Sequence, residues 1–277
     1  VRMPTVRKLA IVSNSTSVKL ADLVPAASAL QTQIIRDFAP AWRRPATVTA
    51  YAKLEDMPVD AWPIIVSDTI PYQAEGIHLD KNGAPFSLVK YSASWTLTSS
   101  HEALEMLGDP MGDRLRRGGS PKAGQGDVRF LVEVCDPSES EDFAYDIDGV
   151  TVSDFYLPSF FDKATTAGKR YSFTNAIKAP RTILRGGYIS WRELTTNHWW
   201  QQLWLGTAKP VFRDLGVLPT GANPRRFTDG STEVPEGVMT PKHDRALTLA
   251  ADQGGADSKA RAAELLAQVK SIVAGVG

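Results

Sequence analysis

Ser99-Ser100-His101-Glu102-Ala103-Leu104-Glu105-Met106-Leu107-Gly108-Asp109-Pro110 is the stretch on which the reading of the fold turns. It reads as a short helix over 99–107, closed by Gly108 and by Pro110, which cannot continue a helix. Residues four apart share a helix face, so His101 and Glu105 lie together, with Glu102 beside them. Upstream, Gly76-Ile77-His78-Leu79-Asp80 and Ala84-Pro85-Phe86-Ser87-Leu88-Val89-Lys90-Tyr91 flank Lys81-Asn82-Gly83. Asn-Gly supplies the positive φ of a tight turn, so this is a β-hairpin. Further back, Pro63–Ser67, Thr47–Tyr51 and Lys8–Val12 are short apolar runs of strand type. Between the first two strands, Leu23, Ala27, Leu30, Ile34 and Phe38 recur at spacings of three and four. That is one face of a helix over about 20–38, with Pro40 helping to stop it.

Downstream the texture changes. Gly118–Gly126 is Gly-rich and reads as a mobile surface loop. Strands follow at Val128–Val134 and Gly149–Phe155, then the aromatic run His198-Trp199-Trp200-Gln201-Gln202-Leu203-Trp204. Residues 206–255 read as irregular. A helix over 258–274 carries Leu265, Leu266, Val269, Ile272 and Val273 on one face.

The composition narrows the function classes. In 277 residues, 31 Lys+Arg balance 31 Asp+Glu, which excludes a generally basic nucleic-acid binder and an acidic disordered tail. A mean hydropathy of −0.20 and the lack of a long apolar run exclude a transmembrane helix. The first residues lack the apolar core of a signal peptide. The expected setting is therefore the cytoplasm or a virion-like particle. A single cysteine, Cys135, excludes an internal disulfide and a Cys-type zinc site, and reads as a buried thiol.

The segment 99–113 resembles the active-site helix of zincin metallopeptidases, in a variant His-Glu-x-x-Glu form. The resemblance covers about residues 6–113, because in zincins a strand, a long helix, further strands and an antiparallel edge strand precede that helix. It implies Zn²⁺ held by His101 and Glu105, with Glu102 as the general base. Gly108 stands where the metzincin branch places its glycine turn. The branch's third ligand falls on Met111, which cannot serve, so Asp109 and Asp113 are the nearest substitutes, Asp109 first. The expected fold class is α+β: a zincin-like mixed sheet with a long N-terminal helix and a short active-site helix, a β-rich second part and a C-terminal helix. The expected division is 1–117, 118–205 as a β-rich continuation or subdomain, and 206–277 as an irregular arm ending in a helix.

A plainer reading makes Ser99 and Glu102 a capping box, with Glu105 solvated. Among the remaining candidates, His78 reads as an exposed residue of the hairpin. His198 reads as part of an aromatic cluster, or as a completing ligand from the second part. His243-Asp244 reads as solvated. Tyr145-Asp146-Ile147-Asp148-Gly149 lacks the closing Glu of a calcium loop and reads as a turn between strands. There is no Gly-x-Ser-x-Gly elbow, phosphate loop or dinucleotide fingerprint. Two functions follow as expectations. One is a zinc-dependent peptidase that takes an extended peptide along the hairpin's outer strand. The other is a non-catalytic subunit of a larger assembly such as a phage virion or tail. It would meet a protein partner or further copies of itself through the C-terminal arm, with neither nucleic acid nor membrane as partner.

Overall fold

A computed structural model describes residues 5–72, 74–81 and 83–230. The expected helix over 258–274, His243-Asp244 and Asn82 lie outside the described residues. Two five-stranded sheets share one core. The first is built from β1 (Arg7–Ser13), β2 (Ala46–Ala50), β3 (Trp62–Ser67), β4 (Gly76–Lys81) and β5 (Ala84–Lys90), in the order β2-β1-β3-β5-β4. All neighbours are parallel except β4, which runs antiparallel to β5 at the edge. The second sheet is antiparallel: β6 (Leu115–Gly119), β7 (Asp127–Leu131), β10 (Tyr188–Glu193), β11 (His198–Leu203) and β12 (Val211–Val217), in the order β12-β11-β10-β7-β6. A small hairpin, β8 (Tyr145–Ile147) and β9 (Val150–Val152), lies between β7 and β10 in sequence.

The near-continuous burial of β1, β3 and β5 follows from cover on both faces of a parallel sheet. One face carries α1 (Leu20–Thr32) and α3 (Trp95–Gly108). The other packs Ala10, Val12, Ile65 and Phe86 against Leu54, Met57 and Ile70 from the connecting loops. The core under α1 and α3 runs without a break from Leu9 and Ile11 through Leu30 and Leu104 to Phe130 and Trp191 of the second sheet. The architecture is α+β, and the order of elements before α3 is the one the zincin resemblance implies.

Several expectations shift. The long helix does not stop at residue 38. It widens into a π turn over Gln33–Phe38 and continues as α2 (Ala39–Trp42), ending where Arg43 takes a φ of 56°. Pro40 stands in the first turn of α2, where a missing N–H costs little. The π turn also brings Gln33 round to donate from Nε2 to the Ser153 carbonyl, 2.8 Å away in the core.

α3 starts at Trp95, ahead of the expected residue 99, so Ser99 lies inside the helix and forms no capping box. Tertiary contacts overrule the β-branched start: Thr96 Oγ1 donates to the Thr151 carbonyl, and Ser100 Oγ accepts from the Ser153 amide at 2.6 Å. Gly118 and Gly119 belong to β6, so the expected loop is shorter. The stretch after 206 is not wholly irregular: it contains β12 and α4 (Pro224–Gly230). Asp148 and Gly149, at φ 52° and 80°, form the turn between β8 and β9 as expected.

A candidate metal centre on α3

α3 sets the site, because Glu105 is four residues from His101 and three from Glu102 and so neighbours both. Its two oxygens diverge. Oε1 lies 3.5 Å from His101 Nε2, and Oε2 lies 3.6 Å from His78 Nδ1 of β4. Two groups of potential ligands result. The inner group is His78, Glu102 and Glu105, all buried; the outer is His101, Asp136 and Glu139. In the outer group, His101 Nε2 is 3.2 Å from Asp136 Oδ1. In the inner group, His78 Nδ1 is 3.5 Å from Glu102 Oε2. Ligands about 2.1 Å from a tetrahedral ion stand about 3.4 Å apart, so both groups already hold donors at the spacing a small divalent cation needs.

The strands and turns that supply the other groups are fixed from below. Glu133, Cys135, Asp136 and Glu139 lie just past β7, in a segment whose Val132 and Val134 are core residues. The Cys135 amide donates to Glu105 Oε1 at 3.2 Å, and its buried thiol faces the His101 carbonyl. Gly187 lets the turn at Asp136 close down on β10: a Cβ there would stand 2.5 Å from the Asp136 carbonyl oxygen and 2.6 Å from that of Pro137.

From the opposite side, α4 inserts Arg225. Its Nη1 donates to Glu105 Oε2 at 2.9 Å and stands 3.6 Å from Glu133 Oε1; its Nε is 3.3 Å from Asp229 Oδ2. Arg225 is buried, and these carboxylates outnumber it.

The charge balance is therefore negative and buried. Among the described residues, both carboxylate oxygens of Glu133 and Asp136, one of Glu102 and one of Asp229 have no hydrogen-bond partner. The His101–Asp136 approach lacks the alignment of a hydrogen bond.

The titration properties follow from this environment. Burial, reinforced by Glu105, pushes the Asp136 carboxyl up to about 6, against the pull of His101. Burial does the same to Asp229, also to about 6. Burial and Asp136 raise Glu133 and Glu139 well above the usual carboxylate range. Glu105 is held well below that range, since His101 and Arg225 outweigh its burial. His101 is raised despite its burial, because Glu105, Cys135 and Asp136 surround it. A divalent cation suits this donor set of imidazole and carboxylates, because it would relieve the repulsion that otherwise drives protons onto it.

Of the residues singled out in the sequence, His101 and Glu105 are brought to the site, 3.5 Å apart, and Glu102 is brought there in the inner group with His78. Asp109 is not: its carboxylate accepts from the amides of Asp113 and Arg114, at 3.2 and 2.8 Å, closing the turn after α3. Asp113 is exposed. His78, expected to be exposed, is 1% exposed, because β4 turns it inward under α3. His198 lies half-exposed on β11, with Nδ1 2.9 Å from Asp214 Oδ2, away from both groups. The sequence reading did not single out Glu133, Asp136, Glu139 or Arg225. The first of these left a signal: Phe130-Leu131-Val132-Glu133-Val134-Cys135 sets a carboxylate inside an apolar run.

No family model, curated protein or solved structure matches this chain. What the structure itself supplies is a His-Glu-Glu cluster that could hold a metal ion. Among the described residues, no helix is long and apolar enough to cross a membrane.

Proposed function

We propose that this chain binds one divalent metal ion, zinc in the first instance, at the outer group, and is a metal-dependent hydrolase of the zincin kind with peptides as substrates. The observation that carries the reading is the outer group itself. An imidazole and carboxylates sit at ligand spacing around α3, with both Asp136 oxygens unpartnered. His101, Asp136 and Glu139 would hold the ion, with Glu105 Oε1 beside them. The ion would supply Lewis acidity, lowering the pKa of a water and polarising a carbonyl. The zincin resemblance would make Glu102 the proton acceptor; its Oε2 faces His78 of the inner group at 3.5 Å, so it would reach the outer ion's water through its other oxygen. β4, the antiparallel edge strand, would take an extended substrate backbone by strand addition once α4 and its Arg226 contact to Asp80 leave the edge.

Elemental analysis of protein purified without chelators should give near-stoichiometric zinc, and His101→Ala should abolish it. Glu102→Gln should keep the metal and lose hydrolysis of a peptide library. Metal-free wild-type protein, or equal activity in wild type and Glu102→Gln, would refute this reading.

One observation favours a second reading, the non-catalytic assembly subunit. α4 lies across the β4 side of the site, Arg226 Nη2 donates to the Asp80 carbonyl of β4 at 2.8 Å, and the cavity beside His78 and Arg225 measures only about 10 Å³. Zinc without hydrolysis of any library peptide would select this reading.

A further inference from the structure

The inner group differs from the outer one in having an arginine guanidinium seated on one of its carboxylates. His78 Nε2 lies 3.0 Å from the Asp109 carbonyl, an oxygen that only accepts. The Nη1 of Arg225, which can only donate, is 3.2 Å from the same nitrogen, so Nε2 is shared between the Asp109 carbonyl and Arg225, and the tautomer decides which of the two contacts is the hydrogen bond. That leaves Nδ1 facing Glu102 Oε2 at 3.5 Å and Glu105 Oε2 at 3.6 Å, and neither Nδ1 nor Glu102 Oε2 has a hydrogen-bond partner. In the tautomer that donates from Nε2 to the carbonyl, a histidine that aims its other nitrogen at two carboxylates is arranged as a metal ligand. All three side chains are more than nine-tenths buried. The cation found at this group is instead the Arg225 guanidinium, on Glu105 Oε2.

We propose that His78, Glu102 and Glu105 form a second divalent-cation site whose resident cation is Arg225, delivered by α4 in place of a metal ion. The two cations compete for the same oxygen of Glu105, so the inner site fills with metal only when Arg225 leaves. α4 is held to the body by a few polar contacts, among them Gln201 Nε2 of β11, which donates to the buried Thr228 carbonyl at 3.4 Å. The Arg225 amide donates to the Gly112 carbonyl, Asn223 Nδ2 to the Met111 carbonyl, and Arg226 to Asp80. Gly112 makes the close approach possible. It has a φ of +65°, and a Cβ there would stand 2.8 Å from the Cβ of Arg225. The proposal does not depend on the outer group binding metal.

The test is metal stoichiometry in the full chain, read by elemental analysis after equilibration with zinc and, separately, with manganese. Arg225→Met should bind one more ion per chain than wild type, and His78→Ala in the Arg225→Met background should lose that extra ion. Arg225→Lys, which keeps a positive charge, should match wild type. No gain in Arg225→Met, or a gain that survives His78→Ala, overturns the proposal. So does a wild-type protein that already loses an ion on His78→Ala. If wild type binds no metal and Arg225→Met binds one that depends on His78, this inference stands while the hydrolase reading falls. If Arg225→Met does not fold in metal-free buffer, recovery of its circular dichroism on adding zinc supports the proposal. Failure to fold with and without metal overturns it.

Discussion

Gly187→Ala separates the geometry of the outer group from its chemistry, because it changes no ligand. The added Cβ would meet the Asp136 oxygen at 2.5 Å, the Pro137 oxygen at 2.6 Å and the Pro137 carbonyl carbon at 2.7 Å. All three are backbone atoms, so no rotamer change relieves the clash. Reaching an ordinary contact of about 3.4 Å requires the turn at Asp136 to move by about 0.9 Å. The turn is also tied to the Gly187 loop by the Leu184 amide, which donates to the Pro137 carbonyl at 2.8 Å, so the strain is shared rather than escaped. Overpacking of this kind costs about 1–3 kcal/mol. It also carries Asp136 Oδ1 off its 3.2 Å spacing from His101 Nε2, and losses in the shell around a metal site lower affinity about 10–100-fold. Gly119→Ala is the control, since a Cβ there meets nothing within 4 Å. Competition titration with a chromogenic zinc chelator and thermal melts followed by circular dichroism measure both effects. Wild-type affinity and stability in Gly187→Ala would refute the reasoning that this glycine sets the ligand spacing.

Two further outcomes follow from the site and the core. In metal-free protein, Asp136 and Asp229 titrate near 6 when folded and near 4 when unfolded, so the folded chain holds more protons between those values. Stability should therefore fall as pH rises from 5 to 7.5, and saturating zinc should flatten that slope; urea midpoints that rise over this range without metal would contradict it. Ser100→Ala leaves the buried amide of Ser153 without its 2.6 Å acceptor and should cost about 1–3 kcal/mol, read as a lower urea midpoint with an unchanged slope.

The first sheet was legible because each of its strands is a short apolar run ended by a turn, and because the helical period between β1 and β2 is unbroken by polar residues. The π turn was not legible, since Gln33 and Asp37 look like ordinary exposed helix residues until the core meets them. Glu105 could be read as the neighbour of both His101 and Glu102 because helix spacing alone sets it beside each. Asp136 and Glu139 could not, because the second sheet folds them back onto α3 across 30 residues or more of chain. Arg225 lies further still, 120 residues from Glu105, in a short helix with no apolar period to announce it. His78 was misplaced for a related reason: alternation along one strand does not tell whether a helix will cover its outer face.

The contact between Arg226 and Asp80 also bears on how the molecule keeps to itself. β4 ends the first sheet, and an uncovered edge offers backbone groups on which strands of other molecules can grow. A guanidinium seated on one of those carbonyls, on a helix laid along the same side, blunts that edge. The segment that supplies the site with its internal cation thus also guards the sheet against sticking to its neighbours. If Arg225 holds the inner site as proposed, conditions that lift α4 should both open that site to metal and expose the β4 edge.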